Sequence, residues 1–496
     1  MKIIHLVAFL FLPAFGNGAA ATFVYVDNDI AGPNSVSAFA VSATGVLTPI
    51  PGSPFATAGT GFGGGGYAPN RVRSVIVKDT LYVSNGGSHD ISAFSIDPNT
   101  GALTLVAGSP FAAAGPPSGP LSLAATPDNQ FLYAGGNQSG KINGYTIDAS
   151  GALHPIPGFP IDAGGQPIGM TTTPVNGKFL AVTLNGLGTV NKIAMFAINL
   201  TTGTLSAVTG SPFAGPPEPS FDSVASVDCN CAENRLFASI ANSTNAQIAV
   251  FSIDPTGVLA PIGGSPFTGP GVNSNVGVLS PDDTKLFVSN QFSHTVDAFN
   301  VDSNGALTSV AGSPFSDGTG QPAGMATDAA GQWLFTANGL LSSSIGSFSI
   351  DANGALTAAP GSPFTTGLPA GAVLESLAVF PPKNCCPAPV ISGLSTNPDI
   401  IWPPNHKFVP VTIDYSVAEP CPNTCVLTVA SSEPGIDNKS PDWEVIDSHH
   451  VMVRAERDGK GPGRVYTITA TCTNNTNGLS SAKQVQVLVP HDQGHD

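Results

Sequence analysis

The chain has 496 residues, of which 42% are apolar and only 10% are charged, so a large core can form while Ser, Thr, Asn, Gln and Gly solvate the surface. Its 57 glycines and 45 prolines argue against long helices and favour a β-rich chain with many turns. A net charge of −16 excludes nucleic acid as a partner and disfavours anionic membrane surfaces, because both require clustered Lys and Arg.

The first 21 residues have the pattern of a signal peptide. Lys2 supplies the positive end, an apolar run covers 3–15, and the small residues 19–21 suit a signal peptidase. The run is too short for a membrane anchor, and no later segment is long and apolar enough to span a bilayer. We therefore expect a bacterial protein without membrane insertion that is secreted, periplasmic or bound at the cell surface.

One phrase recurs through most of the mature chain, and ISAFSIDPNTGALTLVAGSPF is a representative copy. Each copy ends on Phe or Ile, and the ends are 48 to 56 residues apart, which is the spacing of propeller blades. The seven copies occupy 36–55, 91–111, 142–161, 193–213, 248–267, 296–315 and 345–364.

Each repeat is expected to supply four strands, two from the phrase and two from the segment that precedes it, because apolar and small residues alternate in these runs. The result is a seven-bladed β-propeller over 22–382. The strand at 23–28 lacks the strand that should precede it, and 375–380 has the missing pattern. The C-terminal strand is therefore predicted to complete the N-terminal blade and to remove an open sheet edge.

The strands 81–85 and 286–290 are close variants of the Tyr-Val-Thr-Asn strand. On these residues and the seven phrases, the propeller resembles the lactonase-type seven-bladed family, which includes YVTN-repeat proteins. The resemblance implies the fold and, for the catalytic members, lactone hydrolysis. In those members an Arg-His pair precedes one strand, and a Glu follows the Asn that ends it.

This sequence departs from that catalytic pattern. In the repeat at 271–291, Asn275 and Val276 hold the positions of the pair, and Gln291 holds the position of the Glu. Asp29, after Asn28, is the only acid at the equivalent position of any blade. The catalytic residues of the family therefore do not transfer.

Four other residues are weak catalytic candidates. Arg71 and Arg73 are two of the three arginines of the propeller and can face the channel or a loop, although a structural or surface role is favoured. His89 and His294 precede equivalent strands, which favours a repeated turn position over catalysis. The glycine run 59–66 lacks the Lys-Ser/Thr ending and the helix of a phosphate loop, so a flexible interblade loop is predicted and no cofactor is expected.

A linker at 381–387 leads to a second domain over 383–496. Its short strand-like runs predict an immunoglobulin-like β-sandwich. The segments 402–407 and 489–494 resemble an Ig-like module found at the ends of bacterial exported proteins, which implies surface display or binding.

The chain has 7 cysteines, and export favours disulfides over zinc. Cys425 and Cys472 lie on strands that can face each other across a sandwich, so they are the first candidate disulfide. An odd number leaves at least one thiol free or intermolecular. The connectivity of the others stays open: a second bridge is possible among Cys385, Cys386 and Cys421, and a further pair lies close together in sequence, Cys229 and Cys231.

The second domain contains two sets of residues that could bind a metal ion, a group of acids and a group of histidines. The acids resemble solvated loop residues more than a calcium loop, and the histidines resemble lone surface residues, so no metal is expected. These residues are Asp437, Asp442, Asp447, Asp458, His449, His450, His491 and His495.

Two functions follow from this sequence. The first is a monomeric, exported, non-catalytic propeller scaffold that binds a protein or carbohydrate ligand on one face. The alternative is a lactonase-type hydrolase, 6-phosphogluconolactonase-like, with an altered site for a sugar lactone. The missing Arg, His and Glu favour the first, and we expect that the protein is not an enzyme.

Overall fold

A computed structural model gives the fold, which is all-β, as predicted. No helix that could cross a membrane occurs in the part of the chain that the structure describes. The described residues are 21–63, 74–113, 120–136, 139–185, 192–215, 223–241, 244–318, 320–339, 342–368, 372, 374, 376–383, 385, 389–418, 423–433, 441–474 and 480–492.

The strands of the propeller follow one another blade by blade along the chain. Blade 1 contains β1 (Phe23–Asp27), β2 (Gly32–Val41), β3 (Leu47–Pro49) and β4 (Phe55–Gly61). Blade 2 contains β5 (Ser74–Val77), β6 (Thr80–Asn85), β7 (Asp90–Ile96), β8 (Leu103–Leu105) and β9 (Phe111–Ala112). Blade 3 contains β10 (Pro120–Ala125), β11 (Phe131–Gly136), β12 (Lys141–Ile147), β13 (Leu153–Pro155) and β14 (Ile161–Asp162). Blade 4 contains β15 (Gln166–Thr172), β16 (Phe179–Asn185), β17 (Lys192–Ile198), β18 (Leu205–Ala207) and β19 (Phe213–Ala214).

The remaining blades repeat this order. Blade 5 contains β20 (Ser223–Cys229), β21 (Arg235–Ala241), β22 (Ala246–Ile253), β23 (Leu259–Pro261) and β24 (Phe267–Gly269). Blade 6 contains β25 (Ser274–Leu279), β26 (Lys285–Asn290), β27 (Thr295–Val301), β28 (Leu307–Ser309) and β29 (Phe315–Ser316). Blade 7 contains β30 (Pro322–Thr327), β31 (Trp333–Asn338), β32 (Ser344–Ile350), β33 (Leu356–Ala358) and β34 (Phe364–Thr365). The last propeller strand is β35 (Ser376–Phe380).

Each blade is an antiparallel sheet of five strands rather than the four expected from sequence. The outermost strand is split into two short strands, and both pair with the third strand, as β8 and β9 pair with β7. The break falls at the Gly-Ser-Pro of six phrases and at Gly158-Phe159-Pro160 of the third, because Pro cannot donate to the ladder. In blade 2 the Ser109 hydroxyl accepts the N–H of Ala93 at 2.9 Å and so replaces the missing bond.

Blade 1 joins the two ends of the propeller. The strand β1 pairs with β2 on one side and with β35 on the other, with Tyr25 opposite Ala378. This pairing leaves no unpaired edge on β1. Tyrosines of the second strands connect three blades to the blade that follows, because their hydroxyl groups donate to backbone carbonyls there. These bonds are Tyr25 to Gly101, Tyr82 to Gly151 and Tyr133 to Gly203.

The first strands of the seven blades surround a central channel. A cavity of about 230 Å³ in this channel touches all seven, from Ser74 of β5 to Leu377 of β35. We call the end that holds the turns between second and third strands the upper end, and the end that holds the turns between first and second strands the lower end.

Among the described residues that follow the linker, seven strands form two antiparallel sheets. The first sheet has the order β36-β37-β40-β39, and the second has the order β38-β41-β42. Side chains from both sheets form one apolar core, as in a sandwich. The assignment to an Ig-like module stays a prediction. The bounds are β36 (Val390–Asn397), β37 (Phe408–Ala418), β38 (Asn423–Ser431), β39 (Trp443–Val445), β40 (His450–Arg454), β41 (Gly463–Asn474) and β42 (Ser480–Pro490).

The disulfides differ in part from the expected arrangement. Cys425 and Cys472 are bonded, but they are direct neighbours on β38 and β41 of one sheet and do not bridge the sandwich. Cys385 bonds to Cys231 of blade 5, so this bridge ties the linker to the propeller. Cys229 is a free, buried thiol whose pKa is raised by burial. The other two, Cys386 and Cys421, lie outside the described residues.

The expectation of solvated loop acids is wrong for Asp442. Its carboxylate is 8% exposed and lies 3.2 Å from the guanidinium of Arg464, which is completely buried. Glu433 pairs with the same arginine at 3.4 Å. The buried guanidinium needs these acids, because an unpaired buried charge is costly. Asp447 instead accepts the N–H of His449, and Asp437 and His495 lie outside the described residues.

Candidate functional site

The upper corner between blades 1 and 2 concentrates acidic and amide side chains. Asp29 follows β1 with a positive φ of 37°, and it is 1% exposed. Its carboxylate accepts the N–H of Phe62 at 2.8 Å, and its own N–H donates to the carboxylate of Asp27 at 3.2 Å. The first bond ties the side chain of Asp29 to the segment that leads into blade 2, and the second holds its backbone in the β1–β2 turn.

A chain of hydrogen bonds links this carboxylate pair to blade 2. The amide of Asn34 donates to Asp27 at 2.9 Å and to the side-chain oxygen of Asn85 at 3.1 Å. The amide of Asn85 donates in turn to Asp90 and to the hydroxyl of Ser92, both at 2.7 Å. Two acids on different blades are thereby connected through two amides, and the corner forms one polar network.

The end of β4 leads into blade 2 and crosses the corner, and the crossing requires glycine. We call the residues that lead from one blade into the first strand of the next the blade-entry segment. A Cβ added to Gly59 would collide with the side-chain amide of Asn85 and would lie 2.7 Å from the carboxylate of Asp90. The interpretation of 59–66 as a flexible loop is wrong for Gly59 and Gly61, which belong to β4. The close approach lets the backbone cover the network.

An imidazole and an aromatic ring complete the corner. His89 adopts a positive φ of 61°, and its N–H donates to the carbonyl of Asn85 at 2.9 Å. Its Nδ1 atom is buried and has no hydrogen-bond partner among the described residues. Phe62, in contrast, is 46% exposed beside Asp29. The corner therefore combines a buried carboxylate, an imidazole whose Nδ1 atom is buried, and an exposed apolar ring.

In blade 6 the residue that follows the strand-ending Asn is an amide, Gln291, and not an acid. Asn273 and Asn275 both donate to the side-chain oxygen of Gln291, at 3.3 and 3.4 Å. The side-chain oxygen of Asn275 is buried without a hydrogen-bond partner among the described residues. The sequence prediction brought Asn275 and Gln291 to one site, and the structure places them in contact. Neutral amides can bind hydroxyl groups, but they do not act as acids or bases at neutral pH.

Blades 6 and 7 each bury a carboxyl group against a glycine. Asp297 of β27 accepts the N–H of Gly271 at 3.2 Å, and burial raises its pKa to about 6. Asp317, which follows β29, accepts the hydroxyl of Thr336 at 2.8 Å, and burial raises its pKa to about 7. The first bond holds the segment that enters blade 6, and the second ties the segment that enters blade 7 to β31, so we assign both carboxyl groups to these positions in the fold.

The structure does not gather the four candidates from the sequence into one site. Arg71 and Arg73 lie outside the described residues. His89 and His294 occupy equivalent turns on blades 2 and 6, which are not neighbours in the ring. His294 shares the positive φ, at 55°, and its Nδ1 lies 2.6 Å from the carbonyl oxygen of Gly320. A catalytic role for any of the four stays a prediction.

Sequence reasoning missed Asp27, Asn34 and Asp90. One signal was present in the sequence. The Asn that follows β1 is preceded by an acid, Asp27, whereas the Asn that ends β6 and the Asn that ends β26 are each preceded by Ser. Among the described residues, no three His, Cys, Asp or Glu side chains are arranged to hold a metal ion.

Residues 20–165, which are blades 1 to 3 with the acidic corner, match the family described as "Lactonase, 7-bladed beta-propeller". No curated protein matched the chain by sequence. The predicted family resemblance is confirmed, and the fold recurs in solved structures. One is a Bacteroides fragilis protein described provisionally as a 6-phosphogluconolactonase, at 20% identity and a TM-score of 0.57, covering 74% of this chain and 99% of that one.

Two other solved structures share the fold. A Bacteroides uniformis protein with the same provisional description has 16% identity and a TM-score of 0.55, with 73% of this chain and 99% of that one covered. The periplasmic gluconolactonase of Pseudomonas aeruginosa has 16% identity and a TM-score of 0.53, with 73% and 98% covered. Identities this low establish the fold alone.

Proposed function

The first three blades match the model of the lactonase-type seven-bladed family, and from this we propose that the propeller hydrolyses a sugar lactone at the upper corner between blades 1 and 2. One observation carries the proposal. The only acid that follows a strand-ending Asn, Asp29, lies in the part of the chain that matches the family, and its carboxylate is fixed by the N–H of Phe62.

The chemistry needs a base for water and a place for the ring. Asp29 would accept a proton from water as the oxygen attacks the lactone carbonyl, and the ring C–O bond would then break. The ring oxygen takes the proton that Asp29 removed from water, and the new carboxyl group releases its proton to solvent. The products are therefore a carboxylate and a hydroxyl on one open chain, with one proton released. A positioned carboxylate base typically contributes about 10²- to 10⁴-fold to such a step. The exposed ring of Phe62 offers an apolar surface for one face of the sugar.

The proposal includes the periplasm or the cell exterior as the location. Two disulfides support it, since such bonds persist in oxidising compartments. A fold relative that is described as periplasmic gives further support.

The direct test measures acid release at constant pH from glucono-1,5-lactone and from its 6-phosphate, with the uncatalysed rate subtracted. We expect turnover by the full chain and a loss of at least about 100-fold in Asp29→Asn. The asparagine keeps an acceptor for the N–H of Phe62, so its fold is expected to persist. Wild-type rates equal to the uncatalysed rate for both substrates would contradict the proposal.

A second candidate is a non-catalytic scaffold that binds a glycan or protein on the upper face. The amides of blade 6 favour it, because Asn275 presents a buried, unpartnered acceptor and Phe292 nearby is 46% exposed. Tight glycan binding that Asn275→Ala abolishes, together with no lactone turnover, would establish this function instead.

A further inference from the structure

The second domain has one long sheet edge that is open among the described residues. The strand β38 pairs with β41 on one side, from Asn423 to Ser431, and no described strand pairs with its other side. The other edges of the two sheets are short, irregular or covered. β39 has three residues, β36 shifts its register after Ser392, and the outer side of β42 is bonded, since the N–H of Ile401 donates to the carbonyl of Leu488 at 2.9 Å.

Alternate backbone groups of β38 point away from β41, as in any antiparallel strand. Ser432, directly after β38, donates its N–H to the carbonyl of Val465 on β41, which sets the alternation. The N–H groups of Cys425, Leu427 and Val429 therefore face outward. The Cα atoms of Cys425 and Cys472 are 4.0 Å apart, as expected for a pair that exchanges no backbone hydrogen bonds. No bond to the three outward N–H groups from another segment occurs within the part of the chain that the structure describes.

The strand lacks the features that usually protect an edge from pairing. Natural edge strands are short, carry Lys or Pro, or contain a β-bulge. The sequence of β38, NTCVLTVAS, has no charged residue and no proline, and its register with β41 is continuous. The Cys425–Cys472 disulfide also fixes the strand on its neighbour. The edge is thus long, regular and held in place, which suits the addition of a further strand.

The side chains of β38 are compatible with a second copy of the same strand. In an antiparallel pair with a twofold axis at Leu427, Val426 lies opposite Thr428 of the second copy. Cys425 then lies opposite Val429 of the second copy, so apolar side chains continue the core on that face. Cross-strand pairs of this kind are stabilising, and no like charges meet. Val426 is 53% exposed in the single chain, and the pairing would cover it.

We propose that two copies of the chain associate by antiparallel pairing of their β38 strands, which joins two three-stranded sheets into one continuous sheet. A twofold contact of this type satisfies both open edges at once. A single strand pair is small beside the roughly 1,200 Å² or more of stable interfaces, so we expect reversible association at micromolar concentrations. This surface does not depend on lactone hydrolysis, and the association differs from the monomer that the sequence predicted.

The test is sedimentation velocity of the full chain from low to high micromolar concentration. We expect a shift from monomer to dimer in the wild type and association at least about 10-fold weaker in Val426→Lys, which places like charges across the strand pair. Ala482→Lys is the matched control. Ala482 of β42 is exposed in the same row of the sheet as Val426, with Thr471 of β41 between them, so its lysine lies away from the edge. This variant should associate like the wild type.

Hydrogen exchange of the wild type provides a second measurement if Val426→Lys alters the fold. The outward N–H groups of Leu427 and Val429 should exchange quickly in dilute solution and more slowly at high concentration, whereas that of Thr428, which faces β41, should be slow in both. Three results would overturn the proposal: a monomer at every concentration, association of Val426→Lys equal to wild type, or protection that spares β38. Asp29→Asn should associate like the wild type, so failure of the lactonase proposal would not affect this result.

Discussion

Two positions of the propeller share their backbone arrangement and differ in their side chains. One is the corner between blades 1 and 2, and the other is the equivalent position of blade 6. In both, a residue follows a strand-ending Asn and faces the blade-entry segment, but it is Asp29 in the first and Gln291 in the second. The first joins acids on two blades through Asn34 and Asn85, whereas in the second Gln291 accepts from two asparagine amides. The repeated fold therefore fixes the position of the residue after the strand-ending Asn, and the side chain at that position decides whether it is an acid or an amide.

The strongest change in activity should separate these two positions directly. Asp29→Asn should lower kcat/KM for a gluconolactone by at least about 100-fold, because the general base is lost. Gln291→Ala, the matched change in blade 6, should stay within about 3-fold of wild type, since no base is removed. Initial rates at constant pH measure both, and the reverse ranking would move the catalytic site to blade 6.

The second prediction concerns stability. Asn34→Ala removes a donor from Asp27 and from Asn85 and leaves both buried, so it should cost about 1–3 kcal/mol of the free energy of unfolding. Asn275→Ala removes one long hydrogen bond and should cost less. Urea unfolding of the two variants provides the comparison. Equal losses of unfolding free energy in the two variants would show that the hydrogen bonds between blades 1 and 2 do not contribute more to stability than those within blade 6.

The third prediction uses the pH dependence of blade 6. Blade 2 has Ser92 where blade 6 has Asp297, whose pKa burial raises to about 6. The folded state then binds a proton more readily than the unfolded state, so this residue destabilises the fold above pH 6 and the penalty disappears as the pH falls toward 4. Asp297→Asn should raise the Tm at pH 7 more than at pH 4.5. An unchanged difference between the two pH values would contradict this assignment.

A weaker effect is expected for two phenylalanines that are equally exposed. Phe62 and Phe292 are both 46% exposed, beside Asp29 and Gln291 respectively. Phe62→Ala should raise the KM for the lactone by a few-fold with little change in kcat, because it removes apolar contact that substrate and transition state share. Phe292→Ala should leave both parameters unchanged, and an effect of equal size would show that the sugar contacts blade 6.

The repeated phrase was sufficient to predict the blades, since its period and its alternation of apolar residues are local properties. The splitting of the outermost strand was not predicted, because Ser109 restores a hydrogen bond around Pro110 only in three dimensions. Cys425 and Cys472 were correctly chosen, but sequence does not distinguish neighbours within a sheet from partners across a sandwich.

The acidic corner was only partly visible in the sequence. Asp29 was identified as the single acid at its position, whereas its surroundings depend on contacts between blades. Asn34 reaches Asn85, 51 residues away, and no periodic pattern specifies that contact. The buried Arg464 similarly recruits Asp442, which sequence alone placed among solvated loop acids.

A crystal structure of Asp29→Asn with a bound gluconolactone would show whether the corner between blades 1 and 2 is the site of hydrolysis, because the variant should retain the ligand without turning it over. We expect the sugar ring against Phe62, with its carbonyl carbon facing the side chain at position 29. A sugar bound at Asn275 and Gln291 instead would contradict catalysis at this corner.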